Sequence, residues 1–329
     1  MQLSSLTRRQ VLVSGALGMG CLASARAVRA ATAAATPAST SSAPAAPAAG
    51  AGTLRLGGDL IVNRMGFGAM RVTGPGIWGE PKDPAEARRV LRRTVELGVN
   101  FIDTADAYGP EVSERLIAEA LYPYPPGLVI ATKGGMIRPS ASEWAADGRP
   151  QHLREACEAS LARLKLARID LYQLHRIDPN VPLEDSLGEL SRLRQQGKIR
   201  HVGVSNFSLA ELERAQRVVP IVSVQNRYNI ADRSSEAVLS ACAARGLTFI
   251  PWAPIARGSA DTLEGRSRKA LEQAAADHGV SVLQVAIAWL LARSAVMLPI
   301  PGTSSVAHLE ENVAAAGVKL SPAELAAIG

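Results

Sequence analysis

An acid and a phenol five residues apart, an amine, and an imidazole each follow an apolar run of this sequence: Asp103 and Tyr108 come after Phe101-Ile102, Lys133 after Ala131-Thr132, and His175 after Tyr172-Gln173-Leu174. Singly, each has a plain structural explanation. Asp103 can cap a loop, Lys133 can be a surface charge, and a histidine is more often packed than reactive. Brought to one face, the four could act on a carbonyl group. Its oxygen gathers negative charge as a hydride reaches the carbon, so a nearby proton donor lowers the barrier. A free tyrosine, with a pKa of about 10, is a sluggish acid at neutral pH. An ammonium beside the phenol is expected to depress that value, and a carboxylate to neutralise and position the ammonium. Lys133 would then tune Tyr108, Asp103 would hold Lys133, and His175 would orient the carbonyl oxygen or help relay the proton. The same amine could instead form a Schiff base, as in an aldolase. That chemistry needs a desolvated, neutral amine, whereas Asp103 favours the charged form.

These residues must be positioned by the elements around them. Short aliphatic or β-branched runs recur at 64–67, 99–102, 128–132, 169–174, 199–204, 221–224, 247–252 and 296–300. Helical stretches lie between them, with apolar positions three and four apart: Ala87, Val90, Leu91, Thr94 and Val95 in the first, and Leu183, Leu187, Leu190 and Leu193 in a later one. Strands alternating with helices imply a parallel sheet with right-handed crossovers. Eight such strands predict an α/β fold, a (β/α)8 TIM barrel, with catalytic groups at the C-terminal ends of the strands. Ahead of the first strand, residues 53–56 and 60–62 flank Gly57-Gly58-Asp59, which predicts an N-terminal β-hairpin plugging the barrel floor. A doubly wound Rossmann sheet would show the same alternation. It requires G-x-G-x-x-G after its first strand, and Gly66-Phe67-Gly68-Ala69-Met70-Arg71 lacks the third glycine.

The formal charge of +6 suggests a polyanionic partner until its distribution is read, because residues 1–30 contain Arg8, Arg9, Arg26 and Arg29 and no acid. The remainder gives no reason to expect nucleic acid. Thr7-Arg8-Arg9-Gln10-Val11-Leu12, an apolar stretch to Ala25, and Val28-Arg29-Ala30 together resemble a twin-arginine (Tat) signal peptide over residues 1–30. This predicts transient engagement of the Tat machinery, export to the periplasm, and no stable membrane insertion, since the apolar run is shorter than the ~20 residues that span a bilayer. Residues 31–52 contain neither charge nor large apolar side chains and read as a disordered linker. The barrel domain is then expected over residues 53–329. Cys157 and Cys242 have no metal-ligand spacing, and no metal site is expected.

The segments FIDTADAYG, ATKGG and YQLH, then Gly203-Val204-Ser205-Asn206-Phe207, Val224-Gln225-Asn226 and IPGTSSVAHLEEN, run from Gly66 to Asn312 in one order. In these the chain resembles an aldo-keto reductase. The resemblance implies a catalytic tetrad of Asp103, Tyr108, Lys133 and His175 and, because no side chain carries a hydride, a nicotinamide cofactor. It further implies that Ser205, Asn206 and Gln225 bond the nicotinamide carboxamide and that Trp252 stacks on the ring. Gly302, Thr303, Ser304 and His308 would surround the cofactor phosphate at a helix start near Val306, and Glu311 and Asn312 would meet the adenine. Strongly NADP-selective relatives place Lys or Arg around that loop. Here Ser304, Ser305 and His308 stand instead, so NADP is expected with NAD possible. Trp78 and Trp144 could wall a pocket for a ring-bearing carbonyl substrate, and GAMRVTGPGIWGEPKD looks closest to the pyridoxal-reductase-like branch. Arg227 is expected in a structural ion pair, and Glu111, Glu114 and Arg115 on a solvated helix start. Besides a carbonyl reductase and a Schiff-base enzyme, a nucleotide-sensing protein of reductase ancestry stays open at this point.

Overall fold

The computed structural model describes residues 46–254 and 265–329. The expected signal peptide lies outside the described residues, as does most of the expected linker. An antiparallel hairpin of β1 (Thr53–Leu56) and β2 (Leu60–Asn63) comes first. β3 (Phe67–Gly68), β4 (Phe101–Asp103) and β5 (Val129–Gly134) start the main sheet. A small antiparallel pair, β6 (Met136–Ile137) and β7 (Ala145–Ala146), stands in the loop after β5. β8 (Ile169–Leu174), β9 (Ile199–Ser205), β10 (Ile221–Arg227) and β11 (Thr248–Trp252) complete a seven-stranded sheet in the order β11-β10-β9-β8-β5-β4-β3, parallel throughout.

The expected eighth strand is an irregular segment that nevertheless closes the cylinder. On one side the Phe249 N–H donates to Val296 O and the Leu298 N–H to Phe249 O, both at 2.9 Å; on the other the Gly66 N–H donates to Pro299 O at 2.9 Å and the Gly68 N–H to Pro301 O at 3.4 Å. Pro299 and Pro301 have no N–H to give, so a regular ladder cannot form along 296–301, while their carbonyls still accept from β3. The two edges approach so closely that a Cβ at Gly302 would lie 2.3 Å from Gly68 O, which admits only glycine there.

Helices cover the outside. α1 (Pro84–Glu96) starts at Asp83, whose side chain accepts from the Glu86 N–H at 2.8 Å, and buries Ala87, Val90, Leu91 and Thr94, the stripe its spacing predicts. α2 (Val112–Leu121), α3 (Pro150–Leu164), α4 (Leu183–Gln195), α5 (Leu209–Gln216), α6 (Glu236–Arg245), α7 (Gly265–His278), α8 (Val282–Arg293), α9 (Val306–Ala314) and α10 (Pro322–Ile328) follow. No single described helix is long and apolar enough to cross a membrane.

The hairpin stoppers the barrel. Its Leu56, Leu60 and Val62 pack in one cluster with Phe101, Val129, Leu171, Ile250 and Leu298 from the strand interiors. At its turn, Asp59 is held by His201 Nε2 at 2.6 Å and Arg200 Nη2 at 2.7 Å, both on β9.

The linker expected through residue 52 ends earlier. Residues Pro47–Ala51 form a 3-10 turn with Ala48 fully buried, and the Ala48 N–H donates to Leu97 O at 3.0 Å. Small side chains, which cannot make a core alone, still fill a shallow space against an existing one; the folded unit therefore includes residues 46–52. Leu56→Ala is expected to cost about 2–5 kcal/mol of stability by leaving a cavity in the floor cluster. Ile61→Ala, on the exposed face of the same hairpin, is expected to stay within about 0.5 kcal/mol, both read by urea unfolding.

Candidate active site

The ends of four strands, β4, β5, β8 and β10, converge on one buried ion pair. Lys133, on β5, donates from Nζ to Asp103 Oδ2 at 2.6 Å, to Thr104 O at 2.9 Å and to the Tyr108 hydroxyl at 3.3 Å, and is itself completely buried. All three ammonium protons have acceptors. The other carboxylate oxygen, Asp103 Oδ1, accepts from Gln225 Nε2 at 2.7 Å and Gln173 Nε2 at 3.0 Å. Gln173 was not singled out in the sequence, although it stands two residues before His175 and so points to the same side of β8. Gln225, expected at the cofactor, uses its amide N–H in this network.

Tyr108 stands in the loop between β4 and α2, braced where its own carbonyl accepts from the Ser113 N–H at 3.1 Å. Lys133 does pull its pKa down as expected, but the net shift is upward. Burial raises the phenol above its usual value, the positive charge of Lys133 recovers only part of this, and Asp103 pushes the same way as burial. Burial thus decides the sign, and the ammonium, 2.6 Å from the carboxylate and 3.3 Å from the phenol, only tempers it. Burial alone would lower Lys133, but the charges and hydrogen bonds of Asp103 and Tyr108 together outweigh it and the ammonium is held above its usual range. The resting pair is thus a charged lysine beside a fully protonated tyrosine.

His175 lies beside them, its ring 5.8 Å from that of Tyr108 at 83°, and its main-chain N–H donates to Gly134 O at 2.9 Å. Burial, then the charges of Lys133 and Arg176, holds the imidazole well below its usual range, so it is neutral at pH 7. Its Nδ1 is buried without a protein partner. Trp144, carried by β6, β7 and the loop between them, packs edge-on against both rings at 6.5 Å from each.

The expected cofactor residues gather at the next strand ends. Ser205 closes β9 and is buried; Asn206 follows in the left-handed region at φ 62°. Asn206 Nδ2 donates to His175 O at 3.2 Å and Ser205 Oγ at 3.0 Å, and its Oδ1 accepts from Trp252 Nε1 at 3.0 Å. Asn206 thus fixes the indole at the end of β11. Arg227 pairs with Asp232 at 3.0 Å, as expected, and lies over the Trp252 ring at 5.7 Å. The amide and hydroxyl groups of Ser205, Asn206 and Gln225, beside a flat indole, suit a carboxamide-bearing ring.

Gly302, Thr303 and Ser304 lie between the closing segment and α9, and His308 is in the first turn of that helix, with Ser304 and His308 exposed; Asn312 is buried and Glu311 half-buried farther along it. A cleft of about 510 Å³ runs from Arg71 and Lys82 past Glu86 to Ser304, beside the four acid–base side chains rather than over them. At its edge Glu86 Oε1 accepts from the Val306 N–H at 3.2 Å, so a carboxylate already serves the helix start expected to hold phosphate. Glu114, expected on a solvated face, is fully buried, accepting from Thr132 Oγ1 at 2.6 Å and Arg163 Nε at 2.7 Å. The α2 helix turns it onto β5.

Comparison with known proteins agrees with this geometry. A family model described as the aldo/keto reductase family matches residues 64–329. An uncharacterized oxidoreductase of Schizosaccharomyces pombe is 52% identical over 271 residues, 82% of this chain and 87% of that protein. Pyridoxine 4-dehydrogenase of Escherichia coli is 42% identical over 266 residues, 79% of this chain and 91% of that protein. Among solved structures, a thermostable aldo-keto reductase bound to the inhibitor epalrestat superposes with a TM-score of 0.74 at 32% identity, covering 83% of this chain and 97% of that one. An aldo-keto reductase from Klebsiella pneumoniae in complex with NADPH superposes with a TM-score of 0.70 at 27% identity, covering 83% and 92%.

A protonated Tyr108 and a neutral His175 set the pH dependence. For carbonyl reduction, kcat/KM is expected to show no step between pH 6 and 8, because His175 stays neutral throughout. It should fall only above about pH 10, where Tyr108 loses its proton. A rate that declines with a midpoint near 7 contradicts this assignment.

Proposed function

The chain belongs to the aldo/keto reductase family, and on that premise we propose that it reduces an aldehyde or ketone to the alcohol, with Tyr108 as general acid. The observation that carries the proposal is the continuous hydrogen-bonded path from Asp103 through Lys133 to the Tyr108 hydroxyl. A reduced nicotinamide, when bound, supplies the hydride. Ser205, Asn206 and Gln225 would hold its carboxamide and Trp252 would lie along its ring.

The residues of this chain do the rest. The carbonyl oxygen is received between the Tyr108 hydroxyl and the neutral His175, whose buried polar atoms are placed to bond it. As negative charge develops there, the Tyr108 proton moves to the oxygen, and the phenolate left behind is stabilised by the Lys133 ammonium. Asp103 keeps that ammonium charged, with Gln173 and Gln225 fixing the carboxylate. A Schiff-base role for Lys133 is disfavoured by the same pairing, since its amine is held protonated.

The likeness to pyridoxine 4-dehydrogenase, together with the tryptophans of the two rim loops, supports an aromatic or heteroaromatic aldehyde such as pyridoxal as the substrate class. NADPH is the proposed cofactor, with NADH also accepted, because Glu86 places negative charge where a phosphate would otherwise meet only N–H groups. Residues 1–30 we assign to Tat-dependent export, which carries proteins already folded, with 31–45 as the connecting linker.

Single-turnover oxidation of NADPH by an aldehyde panel including pyridoxal, followed at 340 nm, tests the mechanism. Tyr108→Phe is expected to slow it by about 10²-fold or more, and equal consumption by both proteins contradicts the role of Tyr108. Repeating the panel with NADH should show a preference for NADPH below about tenfold. Cell fractionation tests export, which is contradicted by cytoplasmic activity with the leader intact by mass spectrometry.

A further inference from the structure

Among the described residues Arg138 is a buried cation without a counter-ion. It follows β6, is only 8% exposed, and pairs with no carboxylate among the described residues. Its guanidinium is satisfied by main-chain carbonyls instead. Nη1 donates to Ile77 O at 2.8 Å, Nη2 to Ala141 O at 2.6 Å and Gly76 O at 3.4 Å, and Nε to Glu143 O at 3.1 Å. Two of these acceptors lie in the loop after β3 and two in the loop after β5, so one side chain ties the two rim loops together. Its plane also lies over two indoles, 3.8 Å from the Trp144 ring centroid and 5.3 Å from that of Trp78. Trp144 is the ring set edge-on against Tyr108 and His175. The loop carrying Trp78 is joined in turn to the tyrosine loop, where the Gly79 N–H donates to Gly109 O at 2.6 Å and the Gly109 N–H to Ile77 O at 3.3 Å.

We propose that Arg138 is the specificity-determining residue of this pocket: it fixes Trp144 as a flat wall beside Tyr108 and His175, and its uncompensated charge favours aromatic carbonyl substrates bearing negative charge over those bearing positive charge. The proposal rests on the reductase reading and deepens it. A cation on one face of an indole opposes a second cation on the other, because both draw on the same π electrons. Lys133 cannot supply this field, since Asp103 neutralises it. Arg176, beside His175, adds positive charge at the same mouth. Arginine stays protonated when buried, so the field is present at every working pH.

The test compares 4-carboxybenzaldehyde, benzaldehyde, 4-(trimethylammonio)benzaldehyde and butanal in wild type, Arg138→Met and Arg138→Lys. Wild type is expected to prefer the anionic over the cationic ring by at least about tenfold in kcat/KM. Arg138→Met should reduce that ratio at least about fivefold and raise KM for the rings while leaving butanal and cofactor affinity unchanged. Arg138→Lys, which keeps the charge but not the planar fork, should retain the charge preference and lose the ring preference. A wild-type ratio near one, or a ratio unmoved in Arg138→Met, overturns the proposal. Equilibrium binding of benzoate and phenyltrimethylammonium to the cofactor-loaded wild type, read by tryptophan fluorescence, needs neither turnover nor a stable variant. If no aldehyde is reduced but benzoate binds at least about tenfold more tightly, the reductase reading fails and the charge preference stands; equal binding overturns the charge preference alone.

Discussion

Everything at this site depends on burying one pair of opposite charges. Taking an ammonium and a carboxylate out of water costs several kcal/mol for each ion, and their attraction repays this only when the geometry is good and every remaining proton and lone pair is used. Lys133 and Asp103 meet that condition. The lysine has three acceptors, and the far oxygen of the aspartate has two amide donors. The groups that satisfy the pair come from β4, β5, β8 and β10, which are distant in sequence. A closed parallel barrel brings their C-terminal ends to one mouth, and the hairpin below and the proline-interrupted segment at the seam keep it closed.

The pair also decides how charge is distributed among the reacting groups. Because burial outweighs the pull of Lys133, the phenol keeps its proton at rest, and in the proposed mechanism the lysine acts chiefly on the phenolate that develops during reaction. The catalytic gain is therefore expected in the transition state rather than in the ground state, the arrangement that raises kcat. His175 stays neutral for a related reason. It is buried beside a positive charge, and a second cation there would be costly. The site thus offers proton donors without offering a second net charge.

Much of this was legible in the sequence, and the parts that were not share a cause. Asp103, Tyr108, Lys133 and His175 could be found because strand ends are readable from apolar runs, and a barrel puts all such ends on one face. The hairpin was marked by Gly57-Gly58-Asp59. Gln173 was missed because a glutamine inside a strand has no pattern of its own; its meaning lies in a carboxylate seventy residues earlier. Arg138 was missed for the same reason, as its partners are carbonyls of two loops that meet only in the folded chain. Glu114 was misread because helix phase at an N-terminus is ambiguous by a residue or two. The net sign of the Tyr108 shift was misjudged because the sequence names the charges but not the burial that outweighs them.

In the proposed mechanism Lys133 acts on the Tyr108 phenol through its charge across a buried hydrogen bond of 3.3 Å. Spectrophotometric titration of the Tyr108 phenolate, taken as each protein minus its Tyr108→Phe counterpart, measures this directly. In the folded wild type the midpoint should lie above 10, and in Lys133→Met it should move higher still. A midpoint that Lys133→Met leaves in place would mean that the amine and the phenol are not coupled and that the proton-transfer role assigned to them is wrong; a wild-type midpoint below 10 would mean that burial does not keep the resting phenol protonated.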